Sequence, residues 1–356
     1  MSIACLGRTA LGSGVILTAF ALCLTTQNNA AAQSVHKWKM ATSWASGPLM
    51  EIGSKAFAEK VAFLTDGRVE VEVFPAGKLG PPLQVTETVR TGNAEVGHTW
   101  MGLDWEQDKT AVLFAGFAGS MDPERTIHWL YEGGGLDLWR EFRAEKYGIV
   151  SMPGLIRTSE VFLHSRKPIR SLDDLKGLRV RTSGAWLEIV AGLGATAVSI
   201  PGSEVKGALD EGKIDAAEWG TLWEDAGLGV SKVSKYVIVP GVHQPVAPFE
   251  LQFNNEAWNA LSERDKRLVA LAAKLVSLES WIRFGQEDAK SLEHYRQAGN
   301  EILVLDAAFQ AEARRAAREW ATTQAQNNPW FARVWQSQQD FERLWKDASM
   351  YRDLKG

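Results

Sequence analysis

Apolar and charged residues alternate strictly over Arg68–Phe74 (RVEVEVF), which predicts a strand with one face in water. Shorter apolar runs predict further strands at Lys37–Thr42, Ala94–Trp100, Ile149–Pro153, Glu160–His164, Leu178–Thr182, Ala197–Ile200, Ile214–Trp219, Pro248–Phe253 and Glu301–Leu305. Between them the apolar spacing lengthens to that of a helix, at Pro48–Leu64, Pro82–Arg90, Gly184–Leu193 and Ser203–Glu211. The same spacing covers Asp122–Lys146, with a break at Gly133-Gly134-Gly135. From Ser262 to about Gly299 one amphipathic pattern runs far beyond the length of an average helix. Two more helices, Ala307–Gln326 and Trp330–Leu354, are separated by Asn328-Pro329, because proline disfavours the helical conformation in the residue before it. Strands alternating with helices define the α/β class. A chain of 356 residues favours two lobes over a single domain.

The first 32 residues read differently. Arg8 precedes an apolar stretch from about Ala10 to Leu24, and Ala30-Ala31-Ala32 offers a small-residue cleavage site before Gln33. The stretch holds Gly12, Ser13, Gly14 and Thr18 and is shorter than the roughly 20 residues that span a bilayer, so a cleaved signal peptide is expected rather than an anchor. Cys23 follows the bulky Leu22, which argues against lipid attachment. Both cysteines, Cys5 and Cys23, fall in this leader, so the mature chain would have no disulfide, thiolate metal site or cysteine nucleophile. Removing Arg8 from 39 basic residues leaves 38 against 43 acidic, a net charge of −5. No basic block stands out, so nucleic acid is excluded as a partner, and no later stretch is apolar enough to cross a membrane.

Motifs for catalysis are missing: no Gly-x-Ser-x-Gly elbow, no Walker loop and no His-Glu-x-x-His. Gly192-Leu193-Gly194-Ala195-Thr196-Ala197 fits a dinucleotide fingerprint only formally. It runs from helix to strand, the reverse of the order such a site needs, and reads as a helix end. The six histidines (His36, His98, His128, His164, His243 and His294) have no metal-ligand spacing and read as structural. Fifteen tryptophans are unusual. Trp44, Trp100, Trp105, Trp186, Trp219 and Trp223 fall at predicted strand ends or in loops; two or three of them are expected to line a cleft and the rest to pack in cores.

The most informative stretch is Gly212–Gly220 (GKIDAAEWG), a buried strand ending in Glu218 beside Trp219. A carboxylate at the end of a buried strand needs a cation, a donor or a metal. Leu175–Thr182 (LKGLRVRT) supplies a candidate partner. Alternation puts Arg179 and Arg181 on opposite faces, one solvated and one aimed at the sheet end. A guanidinium suits bidentate capture of a carboxylate, although a surface salt bridge explains Arg181 equally well on these grounds. Together the two strand ends make a candidate site for a small carboxylate and a cation.

Six segments carry a family resemblance: Val73–Gly80 (VFPAGKLG), Gly97-His98-Thr99, Tyr131–Phe142 (YEGGGLDLWREF), Leu175–Thr182, Gly212–Trp219 and Asn327–Trp335. The chain resembles the extracytoplasmic solute receptors of tripartite ATP-independent periplasmic transporters, and within them the receptors for 2-oxo monocarboxylates and related hydroxy acids. The resemblance runs from about residue 37 nearly to the C-terminus. It implies a periplasmic two-lobe binding protein with hinge strands and a long bracing helix, closing on its ligand. One lobe would comprise 33–158 with 247–290, the other 159–246 with 291–356. It implies that Arg181 pairs with the ligand carboxylate. A cation, calcium or sodium, would be held by the Glu218 carboxylate and the Trp219 backbone carbonyl, with no organic cofactor. Gln244 would lie nearby, and Trp100 is a further expected cleft residue. The implied partners are a small carboxylate and the membrane permease subunits. A homodimer is admitted, although the tail is shorter than in the receptor whose C-terminal helix is exchanged.

One position departs from the subgroup, which has Gln where this chain has Glu160. An ionised Glu160 adds a negative charge that sodium would leave unbalanced in a closed cleft. A divalent ion or a protonated Glu160 would restore balance; otherwise, with no metal present, the ligand itself would bring a positive group or a hydroxyl that donates to Glu160. Glu160 could instead point away or pair with Arg157. Two other classes compete with a receptor that feeds a transporter. A secreted metal-dependent enzyme could use Glu160 and Glu218, and a sensor domain could report the ligand to a membrane protein.

Overall fold

The computed structural model describes residues 35–352; the expected leader, with both cysteines and the cleavage site, lies outside the described residues. Eleven strands are found among them. They are β1 (His36–Thr42), β2 (Val69–Phe74), β3 (Val96–Thr99), β4 (Val150–Arg157), β5 (Leu163–Ser165), β6 (Arg179–Arg181), β7 (Thr196–Val198), β8 (Ala216–Ala217), β9 (Tyr236–Val239), β10 (Ala247–Phe253) and β11 (Glu301–Val304). Two sheets result, ordered β2-β1-β3-β10-β4 and β11-β9-β5-β8-β6-β7. Each is the core of one lobe of a mixed α/β fold.

The alternating segment is β2, an edge strand parallel to β1, with Val69 buried and Glu70 and Glu72 exposed. By contrast β10 is buried at all seven positions, Glu250 and Gln252 included, because it lies between β3 and β4. A buried charge needs partners, and Glu250 has them. Its carboxylate accepts from Arg143 Nε at 3.0 Å and from Ser151 Oγ at 2.7 Å, and Arg143 Nη2 also reaches Asp104 at 2.6 Å. Asp104 ends the short turn Met101–Asp104, so this network fixes the backbone next to Trp100.

Three segments cross between the sheets. Residues 158–162 lead from β4 to β5, and 240–246 lead back from β9 to β10. They run side by side: Glu160 donates its N–H to the Gln244 carbonyl at 3.1 Å, and Gly241 donates to Ser159 Oγ at 3.1 Å. Only glycine fits at 241, where a Cβ would come 2.3 Å from the Glu160 carbonyl oxygen. The third crossing is the long helix Glu263–Gln297, capped by Ser262, whose hydroxyl accepts from the Asp265 N–H. It packs on β4, where the Ile156 N–H donates to Ser280 Oγ at 3.0 Å. Further along, Asp288 accepts from the Trp223 N–H at 2.9 Å and from the Thr158 hydroxyl, which ties the helix to the second lobe and to a crossing segment.

The two C-terminal helices divide their contacts. Ala307–Asn327 packs on the second-lobe helix Ala185–Gly192. Pro329–Arg352 packs on Ala111–Ala115, Pro123–Glu132 and Gly135–Tyr147 beside the first sheet, with Gln338 donating to the Leu113 carbonyl at 2.7 Å. Among the described residues no helix is long and apolar enough to cross a membrane.

Several expected elements differ. Pro48–Leu64 is a π-helical turn, Leu49–Lys55, followed by an α-helix, Ala56–Leu64. The π-turn carries Gly53, where a Cβ would come 2.5 Å from the His98 ring. The strand expected over Ile214–Trp219 is only Ala216–Ala217, so Glu218 and Trp219 lie past its end. Glu160 lies in the crossing before β5, not within a strand. Strand β9 and the helices Ala111–Ala115 and Leu222–Leu228 were not anticipated.

Candidate ligand cleft

β6 and β8 are parallel neighbours with Arg181 level with Ala217, so Glu218 emerges one residue beyond Arg181's partner. The alternation works as expected. Arg179 faces solvent and pairs with Asp215 at 3.0 Å, and this hydrogen bond holds the Asp215 carboxyl down to about 2. Arg181 is 4% exposed. Its Nε donates to the Ile200 carbonyl at 3.1 Å, and its Nη1 donates to the Glu218 carbonyl at 2.6 Å and to the Glu218 carboxylate at 3.0 Å. The guanidinium carbon stands 5.0 Å from the centre of the Trp219 ring, within cation–π range. The indole can reach that position because residue 202 is glycine; a Cβ there would come 2.4 Å from the ring. These contacts orient the fork and leave Nη2 out of them.

On the same charged wall as Arg181, Glu160 is buried among Arg157, Glu224 and His243. Its carboxylate meets Arg157 Nη2, and Arg157 Nη1 meets Glu224. The other Glu160 oxygen is 2.9 Å from His243 Nε2. The pairing of Glu160 with Arg157 is thus present, but Glu160 does not point away, since it lines the cleft. Burial pushes the His243 imidazole down to about 4, so the ring is neutral near pH 7. A carboxylate can only accept, so Nε2 carries the proton and Nδ1 presents a lone pair, which no protein group meets.

Ligating atoms of Glu160, Glu218 and His243 lie within 4.8 Å of one another, all from buried residues. Two carboxylates and an imidazole are donors that fit a metal cation. Sequence spacing did not single out His243, and no local signal could have done so. Residues 160, 218 and 243 meet only because the two crossing segments run together beside the end of β8.

The first lobe supplies a different wall: Trp44, Leu49, Leu83, Trp100, Leu103 and Phe249. The polar atoms here are already engaged. Trp44 Nε1 donates to His98 Nδ1 at 3.0 Å, and Trp100 Nε1 donates to the Ala115 carbonyl at 2.9 Å. Gln244 lines the cleft, but its amide N–H groups go to the Ala115 and Val246 carbonyls, at 2.7 and 2.8 Å. Of the six tryptophans singled out, Trp44, Trp100 and Trp219 line the cleft. Trp186 packs on Phe162 and Trp223 on Phe284, while Trp105 lies 5.9 Å from Lys109 Nζ. With its open mouth included, the cleft encloses about 710 Å³ of empty space.

The two lobes also touch directly. Lys109 Nζ, from the first lobe, is 2.7 and 2.8 Å from the two Glu188 oxygens of the second. Trp320 Nε1 donates to the same carboxylate at 2.8 Å.

A two-lobe fold with a charged pocket between the lobes defines a solute-binding protein. The model of the family described as bacterial extracellular solute-binding protein, family 7, matches residues 40–327, and the chain belongs to that family. It is 27% identical, over 94% of its length and 93% of the relative's, to a monocarboxylate 2-oxoacid-binding periplasmic protein of a Nostoc species. Two solved structures of solute-binding proteins of tripartite ATP-independent periplasmic transporters superpose with TM-scores of 0.84. One, from Bordetella bronchiseptica, is 26% identical over 90% of this chain and 95% of its own; it is a mixed-occupancy dimer with copurified calcium and picolinate in an active site. The other, from Pseudoalteromonas atlantica, is 25% identical over 90% of this chain and 98% of its own, and holds sodium and pyruvate.

Proposed function

We propose that this chain is a periplasmic receptor that binds a small 2-oxo or 2-hydroxy monocarboxylate without turning it over and delivers it to the permease subunits of its transporter. The observation that carries this reading is Arg181, buried at the end of β6, held by Glu218 and the Trp219 ring and facing the cleft. In this reading Arg181 takes the ligand carboxylate as a charge-assisted fork. The two lobes, each built on one sheet, close over it about the crossing segments; of the stretch 291–356 expected in the second lobe, the helix Pro329–Arg352 packs on the first instead. Trp100 forms part of the wall, and Gln244 shapes it through its backbone contacts.

A cation belongs to the same proposal. Glu160, Glu218 and Glu224 face Arg157 and Arg181, which leaves one negative charge in the buried cluster, and a ligand carboxylate makes two. Calcium held by Glu160, Glu218 and the Trp219 carbonyl balances them, whereas sodium leaves one uncompensated. The calcium and sodium of the two neighbours, and the 2-oxo acids of the Nostoc relative and of the sodium-bound neighbour, point the same way.

The test is a thermal-shift screen of organic acids on the mature protein, with and without calcium or sodium. A true ligand raises the apparent melting temperature by mass action. Failure of every 2-oxo and 2-hydroxy monocarboxylate to do so, with or without ions, overturns the reading.

A further inference from the structure

The two walls of the cleft differ in chemistry. The charged groups Glu160, Arg181, Glu218 and His243 belong to the second lobe and the crossings. Arg157, at the end of β4, turns its guanidinium onto Glu160 and Glu224. The first-lobe wall offers a ligand almost only rings and hydrocarbon. Both indole N–H groups of that wall are spent inside the protein, and the Ser43 hydroxyl is 2.7 Å from that of Thr99. Phe249 is backed by the Arg157 guanidinium, 4.9 Å from its ring centre, and by the Trp44 ring at 5.3 Å.

From this asymmetry, and resting on the receptor reading above, we infer that the ligand is a monocarboxylate whose substituent is apolar and larger than methyl, a branched aliphatic or aromatic 2-oxo or 2-hydroxy acid. The carboxylate and its neighbouring oxygen face the second lobe. The substituent lies against Trp44, Trp100, Leu103 and Phe249, and closure removes it from water. A second carboxylate on the ligand would meet this wall with only the Ser43 hydroxyl and the already paired Arg157 beside it, and would remain largely desolvated and unpaired. Hydroxyls of a sugar acid would fare the same way. Each methylene buried there strengthens binding by roughly fourfold.

The experiment is calorimetry of the mature, calcium-supplemented protein with three acids: pyruvate, 4-methyl-2-oxopentanoate and 2-oxoglutarate. The branched acid is expected to bind at least about tenfold more tightly than pyruvate, and 2-oxoglutarate no more tightly than pyruvate. Two variants locate the effect. Leu103→Asn, and Leu83→Asn at the exposed rim, should each lower affinity for the branched acid by more than they lower it for pyruvate. Leu83 is 46% exposed, so its replacement leaves folding intact and the affinity ratio readable. Pyruvate or 2-oxoglutarate binding as tightly as the branched acid overturns the inference and leaves the receptor reading standing. An unchanged ratio in both variants also overturns it. Binding of none of the three acids overturns the inference, while the receptor reading is decided separately by the wider screen of 2-oxo and 2-hydroxy acids.

Discussion

Replacing Arg181 by lysine keeps the charge and removes the fork, so it tests whether planar geometry matters in this cleft. Three of the arginine's contacts have definite directions: Nε to Ile200, Nη1 to the Glu218 carbonyl, and Nη1 to the Glu218 carboxylate. The flat face lies over Trp219. A lysine ammonium is a single point of positive charge at the end of a flexible stem. If it stays with Glu218 it leaves the Ile200 carbonyl, and if it turns to the ligand it leaves Glu218. A hydrogen bond to a charged group contributes about 1.5–3 kcal/mol. Loss of one such bond to the ligand weakens binding by about 10- to 150-fold, since about 1.4 kcal/mol corresponds to a factor of ten. Arg179→Lys is the control, because Arg179 pairs with Asp215 on the solvent face and a surface pair contributes little. Calorimetry with the best acid from the screen, on variants shown to melt cooperatively, reads both constants. The reasoning fails if Arg181→Lys and Arg179→Lys weaken binding to the same extent.

Three further predictions address separate features. Chelator treatment should weaken binding by wild type, with calcium restoring it and sodium not; in Glu160→Gln one negative charge is gone and sodium should suffice, while calorimetry indifferent to chelator and to both ions removes the metal from this site. Lys109→Ala removes an ion pair with Glu188 that joins the two lobes; a half-buried pair contributes about 0.3–1 kcal/mol, so ligand dissociation followed by stopped-flow tryptophan fluorescence should quicken by about two- to fivefold, and an unchanged rate refutes a role in closure. The Asp215 carboxyl, held down to about 2 by Arg179, contributes stability above the ordinary aspartate range that is lost as pH falls through about 2; Asp215→Asn should therefore melt lower than wild type at about pH 6, with the gap closing near pH 2, and a constant gap would show that the effect is not ionic.

Legibility in the sequence followed the range of the forces involved. The alternation of RVEVEVF fixes β2 because its neighbours demand one wet face and one dry face. The long helix could be read from its period and its Ser262 cap. Arg181 could be placed inward because period-two alternation is local geometry, and residue 218 could be marked because a charge at the end of an apolar run is locally conspicuous. Strand β9 carried a signal too, in Tyr236–Val239 before Pro240, but a four-residue apolar run is ambiguous until its partners β5 and β11 are known. The π-turn at Leu49–Lys55 sets Gly53 and Ser54 against the His98 ring, more than 40 residues away in the chain. The contact of Glu160 with His243 depends on two crossing segments lying side by side, and no spacing rule encodes that.

The division of the C-terminal helices has a mechanical consequence. One helix packs on the second lobe and the next on the first, and on either side of Asn328-Pro329 the two lie against each other through Arg318 with Glu342 and Trp320 with Phe331. Helices are stiff, so any rotation of one lobe against the other must be taken up at that joint or must shear one helix from its seat. A rotation that shuts the cleft would therefore show as a change of angle at this joint or as a break in the contacts between the two helices. A permease that touches both helices can tell a loaded receptor from an empty one without ever meeting the ligand, and a pair of fluorophores placed on the two helices would report the same angle to an experimenter.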